Sequence, residues 1–428
     1  MLKNYFKIAW KVLMRKKFYT AVTLFCISFT LFIVIAISSF VAHVNDTVPP
    51  KSKFNRVLKL YGLTVYSFKD GQEKTTSNGF PTYYFIEDYV KTLETPELVG
   101  IHSMMPIVVN IIKNGQKNEF RLKYTDANFW KITDFRFFEG KPFSQKDIDQ
   151  KAKVVILDKQ ARDFFFPSNE VATGKYISIK NIRYRVTGVV QGVDQMNSFI
   201  SSNMYFPITI NDRYMIKNRH NHYTFGCGAL VLAKNRRDFK KIKVEYQSML
   251  RKLEKDIEGK YWYNRLTSYM EPGYMSIVKS FIHAENKRLI HLISYILSTL
   301  IGFLILIYLM LPASNLANIQ LNRIYERHDE IGIRKTFGAS RNELLKQFII
   351  ENIIITIIGA VIAVVLTAIF IWLFNKSGVI PDSNIRINGK VLLFSISIAI
   401  VFALMSGITP ALRMSKLQIT NILSKEEL

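Results

Sequence analysis

Four long apolar runs constrain this 428-residue chain more than any other feature. Phe18 to Val44, Leu289 to Leu311 and Val391 to Thr409 contain no Lys, Arg, Asp or Glu. Ile349 to Phe374 contains only Glu351, near its start. A helix rises about 1.5 Å per residue, so crossing a hydrocarbon core of ~30 Å takes ~20 apolar residues. All four runs meet that length. The predicted fold class is an α-helical membrane protein with four transmembrane helices, plus a mixed α+β extracytoplasmic domain inserted between spans 1 and 2. The first run exceeds the ~7–15 apolar residues of a secretory signal and is read as an uncleaved anchor.

Basic residues orient the spans. Segment 1–17 carries six Lys or Arg and no acid, and 312–348 carries six against four acids, whereas 375–390 carries three. Both termini and the middle loop are therefore predicted to be cytoplasmic. The resulting order is a cytoplasmic amphipathic helix (1–17), transmembrane helix 1 (18–44), an extracytoplasmic domain (45–288) and transmembrane helix 2 (289–311). A cytoplasmic loop (312–348), transmembrane helix 3 (349–374), a short exterior loop (375–390), transmembrane helix 4 (391–409) and a cytoplasmic tail (410–428) follow. In the first segment Leu2, Tyr5, Phe6, Ala9, Trp10 and Leu13 share one helical face and Lys3, Lys7 and Lys11 another, which suits a helix lying in the membrane interface.

The formal charge is +25, and residues 45–288 hold 40 basic against 25 acidic residues. Outside the cytoplasm nucleic acid is not an expected partner. Anionic membrane lipid and acidic envelope components are, as is a merely basic soluble surface. Cys26 lies within the first span and Cys227 in the exterior domain, so they are not expected to pair.

Within the exterior domain Lys153 to Leu157 reads as a strand, followed by a helix capped by Asp158 and ended by Pro167. Ile177 and Ile179, then Ile182, Tyr184 and Val186, read as a hairpin turning at Lys180-Asn181. Phe239, Ile242, Tyr246, Leu253 and Ile257 form one stripe of a helix over 236–258, with Gly259 closing it. Met275 to Arg288 has no proline and suits a stalk continuous with the second span.

A search for chemistry finds little. A P-loop requires Ser or Thr after its Gly-Lys, and Gly140-Lys141, Gly174-Lys175, Gly259-Lys260 and Gly389-Lys390 all lack it. His220 and His222 have no third ligand nearby in sequence and read as an exposed polar segment. Asp147 and Asp149 read as solvated in a polar turn. Glu351 and His291 lie near span ends, so no polar path through the bilayer is expected. No catalytic, cofactor-binding or metal site is predicted.

The loop before the third run carries the pattern. In "RIYERHDEIGIRKTFGASRNELLKQF", Gly338 follows Phe337 as a left-handed helix stop, and Ser340 with Glu343 forms a capping box for the next helix. The predicted shape is helix, stop, tight turn, capped helix. It offers Glu326, Asp329, Glu330, Arg334 and Lys335 to a partner.

The stretch "RHDEIGIRKTFGASRNELLKQFIIENIIITIIGAVIAVVL" resembles the C-terminal membrane module of the MacB/FtsX-like family of ABC transporter permeases, which shows E-I-G-I-R-K-A-L-G-A-S there. Glu330, Ile331, Gly332, Ile333, Arg334, Lys335, Gly338, Ala339 and Ser340 match, while Thr336 and Phe337 depart. The tail "PALRMSKLQITNIL" is similar to the family's C-terminal segment, with Ile419 and Ile422 in place of its Pro and Ala. "YTDANFWKITDFRFFEGKPF" through "RVTGVV" resembles the MacB-like periplasmic core.

The resemblance implies a bacterial inner-membrane permease subunit working as a homo- or heterodimer with a separate cytoplasmic ABC ATPase. ATP and Mg would sit on that partner, with no cofactor on this chain. Segment 312–348 becomes the coupling loop, with residues 323–340 as docking surface, and the exterior domain is moved mechanically. Two outcomes are implied: export or extraction of an envelope-side peptide, drug or lipoprotein, or FtsX-like activation of an envelope enzyme through an envelope protein partner. A membrane-anchored binding protein without an ATPase is the third reading.

Overall fold

The computed structural model describes residues 17–45, 48–69, 72–105, 107–215, 226–257, 261–273 and 341–379, with scattered positions in 292–303 and 385–400. The chain divides into two compact units. One holds residues 45–296 with 380–383; the other holds 1–44, 297–379 and 384–428.

In the second of these units, α1 (Lys17–Asn45) contains a 24-residue candidate span, Thr20–His43, of mean hydropathy 2.6. Its partner is the 37-residue helix Arg341–Ser377, whose window Ile353–Ser377 has mean hydropathy 3.0. Both are apolar on every side, as a bilayer requires. Ile27, Leu31 and Ile35 pack against Ile354, Ile355 and Ala363. The contacts advance in step: Ile27 meets Gly359, Phe32 meets Phe370 at 5.6 Å, and Phe40 meets Phe374 at 5.0 Å. The two helices therefore run in the same direction. Two hydroxyls buried here turn back on their own helix, Ser39 Oγ donating to Ile35 O at 2.7 Å and Thr367 Oγ1 to Ala363 O at 2.8 Å.

The unit of residues 45–296 is built on one mixed sheet. Its elements in chain order are β1 (Val57–Lys69), β2 (Gln72–Gly79), α2 (Tyr83–Phe85) continuing as a π turn (Ile86–Val90), β3 (Pro96–Ser103), β4 (Ile107–Lys113) and β5 (Gln116–Thr125). Then come α3 (Ala127–Ile132), β6 (Phe137–Gly140), α4 (Gln145–Asp149), β7 (Val154–Asp158), α5 (Lys159–Phe165), β8 (Tyr176–Ile179) and β9 (Ile182–Val190). The unit finishes with β10 (Met204–Pro207), β11 (Cys227–Ala233), α6 (Phe239–Ile257) and β12 (Arg265–Glu271); Arg341–Ser377 is α7. The strand order is β12-β1-β11-β3-β5-β10-β7-β9-β6, with β2 on β1, β4 on β5 and β8 on β9. Among the described residues only β10–β5 and β7–β9 pair in parallel.

Cores form on both faces. Along β11, Ala229, Val231 and Ala233 face one core and Leu230 and Leu232 another, which is why "CGALVLA" is apolar throughout rather than alternating. Over the first core lies α6, entered through an Asn235–Asp238 capping box.

Several expectations meet the structure directly. Asp158 caps α5 by accepting from Ala161 N, and the β8–β9 hairpin turns on Lys180 and Asn181, both at positive φ. The α6 stripe also includes Leu250, which the sequence reading omitted, because i+4 from Tyr246 continues the same face. Ile182 is exposed at the turn end of that hairpin, paired with Ile179. Asp147 and Asp149 stand on α4 rather than in a turn. There Ser144 and Asp147 cap each other's backbone amides. Residues 1–16, His220, His222, Gly259, His291 and segment 275–288 lie outside the described residues.

Candidate functional site

The coupling residues Glu326, Asp329, Glu330, Ile331, Gly332, Ile333, Arg334, Lys335, Gly338, Ala339 and Ser340 lie outside the described residues, as does the side chain of Glu343. The helix that follows them is described. It starts at Arg341, twelve residues before its apolar window opens at Ile353. At about 1.5 Å per residue those twelve residues add roughly 18 Å of helix carrying Arg341, Glu343, Lys346 and Glu351. The helix is continuous from that charged end to the residues packed on α1.

The unit of residues 45–296 has its own polar concentration, which sequence reading did not single out. Lys51, Lys59 (β1), His102 (β3) and Lys123 (β5) converge on segment 193–203. Lys51 Nζ donates to Asn197 Oδ1 at 3.0 Å, and Asn197 Nδ2 donates in turn to Asp194 Oδ2 at 3.1 Å. Lys59 Nζ stands 4.2 Å from the centre of the Phe199 ring, whose edge meets His102 at 5.8 Å. Lys123 Nζ donates to Ser198 O at 3.0 Å and Ser103 O at 3.4 Å. From the other side Tyr205 Oη donates to Ile200 O at 2.7 Å.

Burial sets the protonation of this group. Lys123 is buried, and desolvation of its ammonium brings its pKa down to about 7. Desolvation, with a smaller push from Lys51, lowers Lys59 to about 8. His102, fully buried with Lys123 nearby, falls to about 3 and is neutral. Its Nδ1 lies 3.2 Å from Ser103 O, which fits a proton on that nitrogen, and its Nε2 has no hydrogen-bond partner. An amine that loses its proton near neutral pH and a neutral imidazole are bases in principle, but both are buried, so no substrate atom can meet them. They act as a clamp on segment 193–203. The only sequence signal is a lysine at an inward register position, as in "VLKLY" and "RLKYT", and it becomes visible only when both sheet faces are known to be covered. Among the described residues no group of three or more His, Cys, Asp or Glu could hold a metal ion.

Comparison with known proteins completes the picture. Residues 20–246 match the MacB-like periplasmic core domain and residues 302–419 the FtsX-like permease C-terminal domain. The pyoverdine export ATP-binding/permease protein PvdT of Pseudomonas entomophila (strain L48) is 22% identical over 426 residues, 98% of this chain and 59% of that protein. The macrolide export ATP-binding/permease protein MacB of Escherichia coli (strain K12) is 23% identical over 448 residues, 98% of this chain and 60% of that protein. The chain thus spans about 60% of the length of these curated relatives. The crystal structure of the periplasmic region of MacB from Actinobacillus actinomycetemcomitans is 15% identical and covers 52% of this chain and 94% of that one, with a TM-score of 0.34. This chain belongs to the MacB/FtsX-like family of ABC transporter permeases. Membership in a permease family makes it a membrane protein, and among the described residues two helices are long and apolar enough to cross a bilayer.

Proposed function

We propose that this chain is a four-span permease subunit that couples ATP binding and hydrolysis by a separate cytoplasmic ATPase to movement of its extracytoplasmic domain. The movement drives export or extraction of an envelope-side substrate, a peptide, drug or lipoprotein. The observation carrying this reading is that α1 and α7 run in the same direction. Two parallel spans in one chain require an odd number of crossings between them. Leu289–Leu311 is the one apolar run available there, and Val391–Thr409 supplies a fourth span. Such a topology puts the exterior domain (45–288) and the charged loop (312–348) on opposite sides, and the polar start of α7 continues directly from that loop.

In this reading Glu330 and Arg334 contact the ATPase, and differential contacts there bias two arrangements of a permease dimer. ATP and Mg reside on the partner. The relatives named for pyoverdine and macrolide export make export the favoured outcome here. The test is isolation from the native membrane in mild detergent, comparing wild type with Glu330→Lys plus Arg334→Glu. A cytoplasmic ATPase retained by the wild type and lost from the double variant is expected. Absence of an ATPase from the wild type, even after crosslinking, overturns the reading. An envelope hydrolase crosslinked to the exterior domain would replace transport by regulation of that enzyme.

A further inference from the structure

Segment 193–203 is clamped by buried lysines on one side and walls a cavity on the other. The cavity measures about 200 Å³ and is lined by Glu119, Arg121, Gln160, Val193, Gln195, Ser201, Ser202 and Asn203. Its floor is locked by Asn203. The Asn203 backbone N donates to Arg121 O at 3.1 Å, while its Oδ1 accepts from Arg121 N at 2.9 Å. Its Nδ2 donates to Asp158 Oδ2 at 2.8 Å and to Gln160 Oε1 at 3.1 Å. Ser202 Oγ also donates to Arg121 O, at 2.7 Å. Two strands and the start of α5 are thus tied at one point, and the backbone beneath Arg121 is held from both directions.

The side chains facing the cavity are differently placed. Arg121 and Glu119 alternate with Phe120 on β5 and share a face, roughly 7 Å apart along the strand. Among the described residues neither the Arg121 guanidinium nor the Glu119 carboxylate makes a hydrogen bond or an ion pair. They do not pair with each other although both border one small cavity. Gln160 has its amide Nε2 left over after its oxygen is used by Asn203. Ser201 donates to Val193 O and keeps acceptor capacity towards the cavity. Lys123, the next residue on the Arg121 face of β5, lies buried behind.

A rigid floor, an open guanidinium, an open carboxylate and spare amide and hydroxyl groups in a cavity of single-residue size define a charge-paired receptor. We propose that this cavity binds a residue-sized zwitterion, its carboxylate held by Arg121 and its ammonium by Glu119, with Gln160 and Gln195 donating to the carboxylate and Ser201 accepting from the ammonium. Fork-like guanidinium–carboxylate pairing favours this polarity. Such a group is presented by a free amino acid or by a very short peptide. The inference is independent of the transport reading, since it concerns binding to this chain without an ATPase.

The full chain purified in detergent would be titrated calorimetrically with alanine, with dialanine, and with dialanine either acetylated at its amine or amidated at its carboxylate. Saturable binding by alanine or dialanine is expected, with each capped dialanine at least roughly tenfold weaker because one charged contact is lost. Arg121→Gln should abolish discrimination against the amidated form only, and Glu119→Gln against the acetylated form only. Unchanged thermal midpoints of both variants would confirm that folding is intact. Binding by alanine assigns a free amino acid; binding by dialanine alone assigns a short peptide. No saturable binding by either probe, or equal binding by the capped forms, overturns the proposal.

Discussion

A Cβ built on Gly359 would lie 2.6 Å from Ile27 Cγ2, closer than side chains pack, so α1 and α7 approach each other over a glycine that has no room to grow. Close approach through small residues is how helices associate in lipid, where burying apolar surface brings no gain.

Gly359→Ala should therefore overpack this contact and destabilise the helix pair by about 1–3 kcal/mol. Ile27→Ala should recover much of that loss in the double variant. Thermal unfolding in detergent measures both. An unshifted midpoint for Gly359→Ala alone would show that the helices are not tightly apposed here.

Lys123 gives the unit of residues 45–296 a pH signature. Its pKa is about 7 when folded, against 10.5 for the ordinary group. Between those values the unfolded chain binds the extra proton, so stability rises with pH across that window and is least below it. Lys123→Met should flatten the rise. His102, lowered to about 3, adds a second rise between pH 3 and its ordinary 6.5. Denaturant titrations at several pH values read both slopes, and an unchanged alkaline slope in Lys123→Met would refute the assignment.

Asn203 joins β5, β7 and β10 through groups that are otherwise hard to satisfy. Asn203→Ala removes three side-chain hydrogen bonds, one of them to the buried Asp158 carboxylate, and should cost roughly 2–4 kcal/mol. Asn203→Asp should be comparably harmful at neutral pH, because it sets a second carboxylate against Asp158, and should recover as pH falls. Equilibrium unfolding that finds either variant near wild type at pH 7 counts against this junction.

Gly140 ends β6 with φ +63°, and a Cβ there would collide with Thr187 O and stand 2.9 Å from Thr173 Oγ1. Gly140→Ala should lose about 1 kcal/mol or more from the left-handed conformation and the clash together. Hydrogen exchange should show the loss first in the β6–β9 pair.

Much of the local structure was legible in the residues. Asp158 before a short amphipathic run, Lys180-Asn181 between alternating segments and the α6 stripe each act within a few residues, so one stretch of sequence contains both the cause and its effect. Leu250 was omitted from the stripe although i+4 from Tyr246 continues the same face. The candidate sites divide in the same way. Glu330 to Ser340 carry a recognisable local pattern, whereas Arg121 and Glu119 look like any charged pair on a strand until Gln160 and Ser201 are brought beside them.

By itself the sequence determined the apolar runs, the Asp158 cap and the Lys180-Asn181 turn, because helix rise and hydrogen-bond geometry act on contiguous residues. Only the tertiary structure decided that β11 lies between β1 and β3, that α1 and α7 run parallel, and that three lysines and a histidine converge on segment 193–203. Those outcomes depend on closing loops of tens to hundreds of residues, whose entropy changes only slowly with length and so leaves no mark on any one stretch. The lowered pKa of Lys123 follows from that closure: water is excluded from its ammonium by residues that approach only when the sheet is complete.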